Sequence, residues 1–179
     1  MPHKDHNIAQ VLEAIAATKP QATALVVKEG RKWQHYSFNR LATQCDQFAT
    51  ILHKEGISKD SRVILMVRPS FYFVALTFAL FRLGAIVILI DPGMGYRNLL
   101  RCIASVQPEV LIGIRRAIFL SQLFPKAFTS LRKRLCVHGF FPGSTKLNTL
   151  LRSNEKPHVF VDNEHERAAI LFTTGSTGP

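Results

Sequence analysis

The chain has 179 residues, 47% of them hydrophobic and 20% charged, a balance that excludes a disordered chain and indicates a globular fold with its own core. Its formal net charge is +11, which favours anionic partners such as nucleic acid, a membrane surface or an acidic substrate. Three widely spaced cysteines, Cys45, Cys102 and Cys136, form no metal-binding pattern and indicate reduced thiols in the cytoplasm.

The first 56 residues predict two helices with a hairpin between them. Asn7 is a typical helix cap. The apolar face of the helix that follows consists of Ile8, Val11, Leu12 and Ile15. Residues 22–28 and 32–36 are predicted to be two strands of a hairpin. Ser37 then caps a second helix that ends at Gly56. The apolar positions of that second helix are Phe38, Leu41, Cys45, Phe48 and Leu52.

From residue 62 onward the pattern alternates between strands and helices, which predicts an α/β fold with a mostly parallel sheet and flanking helices. The predicted strands are residues 62–67, 85–90, 109–114, 135–138 and 168–172. The predicted helices are residues 70–82, 97–106 and 116–123. The apolar runs 63–67 and 86–90 are typical of strands that are covered on both faces. Residues 140–157 are predicted to be an irregular connection.

Residues 71–90 form an apolar stretch long enough to be mistaken for a membrane span. Arg82 stands in its middle, at a cost of roughly 2.5–3.5 kcal/mol for membrane insertion. Gly84 follows at once, and the second half is rich in β-branched residues. The stretch therefore predicts a buried helix, a glycine break and a buried strand.

Residues 110–152 carry eight basic side chains and no acidic one. The eight are Arg115, Arg116, Lys126, Arg132, Lys133, Arg134, Lys146 and Arg152. Phenylalanines are interleaved with them, namely Phe119, Phe124, Phe128, Phe140 and Phe141. This surface is either a solvated face or an interface, and the phenylalanines either core or contact residues. Nucleic acid is disfavoured because no recognition motif is present. Peripheral contact with an anionic membrane fits the mixture of cations and apolar side chains better.

The end of the chain, residues 171–179, is a loop rich in hydroxyl and glycine residues after an apolar strand. Ligands of open α/β sheets bind at the carboxyl ends of strands, so this loop is a candidate phosphate site. Its proposed phosphate-binding residues are Thr173, Thr174, Gly175, Ser176, Thr177 and Gly178. The loop matches neither the Walker A pattern nor GxGxxG, and a Gly-Ser-Thr-Gly sequence taken alone is more often a plain turn than a phosphate site.

Taken with two upstream segments, the loop resembles the adenylate-forming superfamily, which includes acyl-CoA synthetases, peptide-synthetase adenylation domains and luciferases. Residues 172–179 (F-T-T-G-S-T-G-P) resemble its phosphate loop, Y-T-S-G-T-T-G-x-P-K-G. Residues 82–85 and 89–92 resemble its R-A-G-A…L-D-P element. Residues 36–42 resemble its T-Y-x-E-L…A helix start. Within the superfamily the motifs are most similar to olefin β-lactone synthetases and related fatty-acid ligases.

The resemblance implies a two-step reaction in the cytoplasm. The carboxylate of a fatty or β-hydroxy fatty acid attacks Mg·ATP, which gives an acyl-adenylate and pyrophosphate. A thiol such as CoA, or a hydroxyl of the same acid, then attacks the adenylate. The loop would hold the phosphates through N–H and hydroxyl donors, and no magnesium ligand is assigned. The oligomeric state is not predicted.

The same resemblance implies that residues 1–179 are a partial N-terminal domain, its first subdomain, cut inside the phosphate loop. The family's adenine and carboxylate pockets, its magnesium-binding glutamate and its mobile C-terminal domain would all follow residue 179. No catalytic residue is therefore assigned within the chain. The alternative function is a non-catalytic basic α/β module that binds an anionic membrane or nucleic acid.

We expect purified residues 1–179 to be catalytically silent, because the groups implied to bind adenine and acid fall outside them. The measurement is ATP–pyrophosphate exchange with and without a fatty acid. Acid-dependent exchange above the enzyme-free background would contradict this expectation.

Overall fold

The computed structural model describes residues 7–147 and 167–173, which fall into two compact units. The first, which we call the helical unit, contains residues 7–60 and 68–85. The second, the sheet unit, contains residues 61–67, 86–147 and 167–173. No helix among the described residues is long and apolar enough to cross a membrane.

The helical unit consists of three helices and one hairpin. Its elements are α1 (Ile8–Thr18), β1 (Thr23–Glu29), β2 (Lys32–Ser37), α2 (Phe38–Lys54) and α3 (Phe71–Arg82). The predicted caps are confirmed: the Asn7 side chain accepts a hydrogen bond from the Ala9 amide, and the Ser37 hydroxyl accepts one from the Arg40 amide. Gly56 has a φ of +83° and ends α2, because its amide and that of Ile57 turn back onto the last carbonyls of the helix.

The predicted inner face of α1 is wrong for two of its four residues. Ile8 and Val11 are 53% and 52% exposed, whereas Ala9 is buried. The helix is turned so that the carboxylate of Glu13 reaches the guanidinium of Arg82 in α3. The inward side of α1 therefore combines the buried Ala9 and Leu12 with an ion pair to a distant segment.

The sheet unit is built on six parallel strands in the order β7-β6-β5-β3-β4-β8. These are β3 (Arg62–Met66), β4 (Ile86–Ile90), β5 (Val110–Gly113), β6 (Lys133–Cys136), β7 (Thr145–Lys146) and β8 (Ala169–Phe172). The helices of this unit are α4 (Tyr96–Val106) and α5 (Arg115–Leu123). The predicted α/β class and parallel sheet are confirmed, as is the division of residues 71–90 into helix, glycine break and strand.

Two features of the sheet differ from the prediction. β6 begins at Lys133, two residues earlier than predicted. The prediction missed these two residues because their side chains are charged and do not fit the apolar pattern of a buried strand. The guanidinium of Arg134 is accommodated by a hydrogen bond from its Nε to the buried Ser121 hydroxyl, at 2.9 Å. Within the segment predicted to be irregular, Thr145–Lys146 pairs with β6 as a short strand. Residues 148–157 of that segment lie outside the described residues.

The core of the sheet unit lies between one face of the sheet and its two helices. Its buried members are Ile64, Ile88, Leu99, Ile103, Leu111, Ala117, Ile118, Phe128 and Cys136. Neighbouring residues in the same strands, such as Val63 and Val87, are also fully buried. Consecutive burial confirms that these strands are covered on both faces. Each fully buried Leu or Ile contributes roughly 1.5–3 kcal/mol of transfer free energy.

Arg82 joins the three helices of the helical unit through its guanidinium. Its side chain is only 10% exposed, and Nη1 lies 2.6 Å from Oδ1 of Asp46 in α2 while also contacting Glu13 in α1. Both carboxylates remain close to half exposed. The buried cation is therefore neutralised by two acids that still reach water.

Because the cation is buried and the two acids are not, removing the acids should lower the free energy of unfolding more than removing Arg82 does. The double variant Glu13→Gln/Asp46→Asn leaves a buried guanidinium without a counter-charge, so we expect the free energy of unfolding to fall by roughly 3–5 kcal/mol. Arg82→Leu should cost less, because the two carboxylates can hydrate and the leucine fills the vacated volume. Urea unfolding followed by circular dichroism measures both. An Arg82→Leu variant less stable than the double variant would refute this account.

Candidate functional site

The carboxyl ends of β4 and β8 lie side by side at one edge of the sheet. The two strands pair in parallel, with Ile90 opposite Phe172, and the Asp91 amide donates to the Phe172 carbonyl at 3.1 Å. Thr173 follows Phe172 and is exposed. The first residue of the predicted phosphate loop therefore leaves the sheet next to the turn that begins at Asp91.

The remaining predicted loop residues are Thr174, Gly175, Ser176, Thr177 and Gly178, and they lie outside the described residues. The structure thus gives the strand that precedes the loop and the point at which the loop starts. The assignment of phosphate contacts to these side chains and amides stays a prediction.

The turn after β4 is ordered by its own first side chain. Oδ1 of Asp91 accepts a hydrogen bond from the Gly93 amide at 2.8 Å, and residues Pro92–Met94 form a single 3-10 turn. Gly95 follows with φ +80° and ψ 155°, a combination that glycine alone adopts without strain, and α4 begins at the next residue. The sequence D-P-G-M-G therefore forms a turn that connects the end of β4 directly to α4.

A third strand end, that of β5, depends on a glycine that sequence reasoning did not single out. A Cβ on Gly113 would lie 2.9 Å from the Cβ of Ala117 and 3.3 Å from the Met66 carbonyl oxygen. Glycine is required there because α5 starts immediately and crosses close to the ends of β3 and β5. The available signal was a glycine between an apolar strand and a helix, which is a weak one.

Two segments that carry the family resemblance have structural roles in the helical unit. The Tyr36 ring stacks on Phe71 with centroids 4.1 Å apart, and its hydroxyl donates to a Glu29 carboxylate oxygen at 2.5 Å. That hydrogen bond raises the pKa of Tyr36. Ser37 caps α2, and Arg82 holds the ion cluster described above. The contacts that the structure shows for these residues are stacking, capping and ion-pair contacts within the helical unit.

The cysteines are free, and burial governs the chemistry of two of them. Loss of hydration raises the pKa of Cys45 to about 12, with a further contribution from the neighbouring carboxylate of Asp46. Burial likewise raises the pKa of Cys136. Both thiols are therefore protonated at neutral pH. In residues 7–147 and 167–173, no group of three or more His, Cys, Asp and Glu side chains is placed to hold a metal ion.

Comparison with known proteins gives one family and several relatives. A family model described as AMP-binding enzyme matches residues 12–179. An olefin beta-lactone synthetase of Stenotrophomonas maltophilia (strain K279a) is 38% identical over 143 residues, which are 79% of this chain and 26% of that protein. An olefin beta-lactone synthetase of Xanthomonas campestris pv. campestris is 33% identical over an alignment of 184 positions, which covers 96% of this chain and 33% of that protein. The chain thus spans 26–33% of the length of these curated relatives.

The fold also has a solved counterpart. An anthranilate CoA ligase in complex with anthranoyl-AMP superimposes with a TM-score of 0.83 and 19% sequence identity. The match covers 99% of this chain and 34% of that one. At this identity the likeness shows a shared fold.

The Asp91 turn gives a prediction for the stability of the sheet edge. Asp91→Ala removes the acceptor for the Gly93 amide, so we expect the free energy of unfolding to fall by about 1 kcal/mol, as for a lost helix cap. Asp91→Asn keeps an oxygen at the same position and should recover most of that loss. Urea unfolding of the three proteins measures the difference. Equal destabilisation by the two substitutions would show that charge, and not this hydrogen bond, is what the turn requires.

Proposed function

The chain belongs to the family of AMP-binding enzymes, and from that membership we propose that the whole protein is a ligase that activates a carboxylic acid with ATP. The acid carboxylate attacks the α-phosphorus of ATP, which forms an acyl-adenylate and releases pyrophosphate. The acyl group then passes to the thiol of CoA, or to a hydroxyl of the same acid with closure of a β-lactone. In both cases AMP is the leaving group of the second step.

The observation that carries this proposal is the position of Thr173. It leaves the carboxyl end of β8 beside the Asp91 turn, where parallel sheets bind ligands. Five residues with N–H or hydroxyl donors follow it in sequence, from Thr174 to Gly178. We assign them the β- and γ-phosphates of ATP. Their role is to neutralise charge on departing pyrophosphate, a task that needs fixed donors rather than a base.

The substrate class rests on likeness to the two olefin beta-lactone synthetases. We propose a fatty acid or a β-hydroxy fatty acid, with lactone closure as the favoured second step for the hydroxylated one. Magnesium would accompany ATP, and no residue of the described chain is assigned to it. We place the protein in the cytoplasm, where ATP and CoA occur and where the free cysteines stay reduced.

A chimera tests the proposal directly. In the chimera, residues 1–179 replace the corresponding N-terminal segment of the Xanthomonas campestris relative, whose match covers 96% of this chain. The rest of that relative supplies the remainder of the enzyme. We expect ATP–pyrophosphate exchange that depends on added fatty or β-hydroxy fatty acid. Within the chimera, Thr174→Val and Ser176→Ala should each lower kcat by roughly a hundredfold, the usual effect of removing one donor to a developing charge.

The matched control is Thr129→Ala, which removes an exposed hydroxyl from a different loop and should leave kcat unchanged. Thermal unfolding establishes that each chimera is folded. A folded chimera that shows no acid-dependent exchange, beside an active parent relative, would refute the proposed reaction. Loop variants that keep full kcat would refute the assigned role of the loop.

A further inference from the structure

The outer surface of the sheet unit contains an open cleft between α4 and the segment that follows α5. Its volume is about 490 Å³. Leu100 and Arg101 line it from α4, and Leu123, Phe124 and Lys126 line it from the end of α5 and the 3-10 turn Pro125–Ala127. We call it the cationic cleft. Its walls are apolar side chains, and its two charged lining residues are both cations.

Large apolar side chains remain exposed beside this cleft. Leu123 is 57% exposed and Phe124 is 38% exposed, while Phe119, one turn earlier on α5, is also exposed. Phe128, in contrast, is buried in the core. The sequence left open whether these phenylalanines are core or contact residues. Phe128 belongs to the core, whereas Phe119 and Phe124 are exposed to water.

The charge of the surface is one-sided. The elements around the cleft, α4, α5 and the 3-10 turn, contain no Asp or Glu. Their exposed cations are Arg97, Arg101, Arg115, Arg116 and Lys126. In residues 92–154 the sole acidic side chain is Glu109, which pairs with Arg62 at 3.3 Å and with Arg132 at 3.9 Å. That carboxylate is already engaged by two other guanidinium groups.

We propose that the cationic cleft and its rim dock on the anionic leaflet of a lipid bilayer. Leu123 and Phe124 enter the boundary between headgroups and acyl chains, while Arg101 and Lys126 contact the headgroup phosphates and carboxylates. Both kinds of side chain are needed at such an interface. Cations alone are attracted weakly and in a salt-sensitive way, whereas apolar side chains insert below the headgroups and strengthen binding. A phosphate backbone of nucleic acid would use the cations and leave the leucine and its apolar neighbours without a partner.

The proposal goes beyond the reaction and does not depend on it, so it is tested by binding alone. The 179-residue chain is mixed with vesicles of phosphatidylcholine containing about 30% phosphatidylserine, or with pure phosphatidylcholine, and floated on a density gradient. We expect strong flotation with the anionic vesicles and much weaker flotation with the neutral ones, where the apolar contact acts alone. High salt should reduce flotation without abolishing it, because the apolar contact is not screened.

Two matched pairs of variants locate the surface. Arg101→Glu/Lys126→Glu should weaken binding to anionic vesicles by roughly tenfold or more, given the usual contribution of each cation near such a surface. Lys28→Glu/Arg31→Glu makes the same change in net charge on the exposed hairpin and should weaken it by roughly threefold at most. Leu123→Gln should also weaken binding, and Val11→Gln, a similarly exposed apolar residue of α1, should not.

Three outcomes would overturn the proposal. They are absence of flotation with anionic vesicles, equal losses for the cleft and hairpin charge variants, and salt-sensitive binding to a single-stranded RNA oligonucleotide without flotation. Circular dichroism of each variant checks that it is folded. Unchanged flotation of Leu123→Gln is a fourth such outcome, because it would show that this apolar side chain makes no contact with the bilayer.

Discussion

The candidate site depends on the parallel pairing of β8 with β4. Among the described residues, β8 lies at the end of the sheet and has β4 as its neighbour, so this pairing fixes where the chain enters its last segment. Ile170 sets the register by packing against the core while Leu171 faces outward. A slip of one residue would exchange these two faces and move Thr173 away from the Asp91 turn. The point at which the chain leaves the sheet, at Thr173, is thus set by the pairing of β8 with β4 and by an apolar contact three residues earlier.

The sheet edge is also shaped by how the chain leaves each strand. After β4, the Asp91 carboxylate and Gly95 turn the backbone into α4 within five residues. After β5, Gly113 lets α5 begin with no intervening loop. These exits are short and locally determined. The carboxyl ends of β4 and β8 are level with one another because the two strands pair in parallel with Ile90 opposite Phe172.

Local signals in the sequence were sufficient for most of this fold. Ser37 and Gly56 mark the two ends of α2, and buried apolar runs mark β3 and β4. These features are predictable because helix caps and apolar runs depend only on residues that are close together in sequence. The inward face of α1 was not predictable from local pattern, since it makes contacts with residues far away in sequence, among them the ion pair of Glu13 with Arg82. The predicted start of β6 was two residues too late because Lys133 and Arg134 are charged and obscure the strand pattern. Strand order and register likewise arise from contacts that the sequence does not display. The loop motif identified the family, whereas the positions of its donors are not available from local pattern.

Helix α4 connects the Asp91 turn at the sheet edge to the cationic cleft. α4 starts directly after the Asp91 turn and carries Leu100 and Arg101 of the cationic cleft within its first two turns. Its 11 residues span roughly 16 Å, and Arg101 lies roughly 8 Å along the axis from its first residue. A bilayer bound at the cleft would therefore hold its headgroups within a short and nearly fixed distance of the edge where β4 and β8 end. An enzyme that takes its acid from a membrane would gain from that arrangement, because the acyl substrate would be concentrated near the strand end from which the proposed phosphate loop begins.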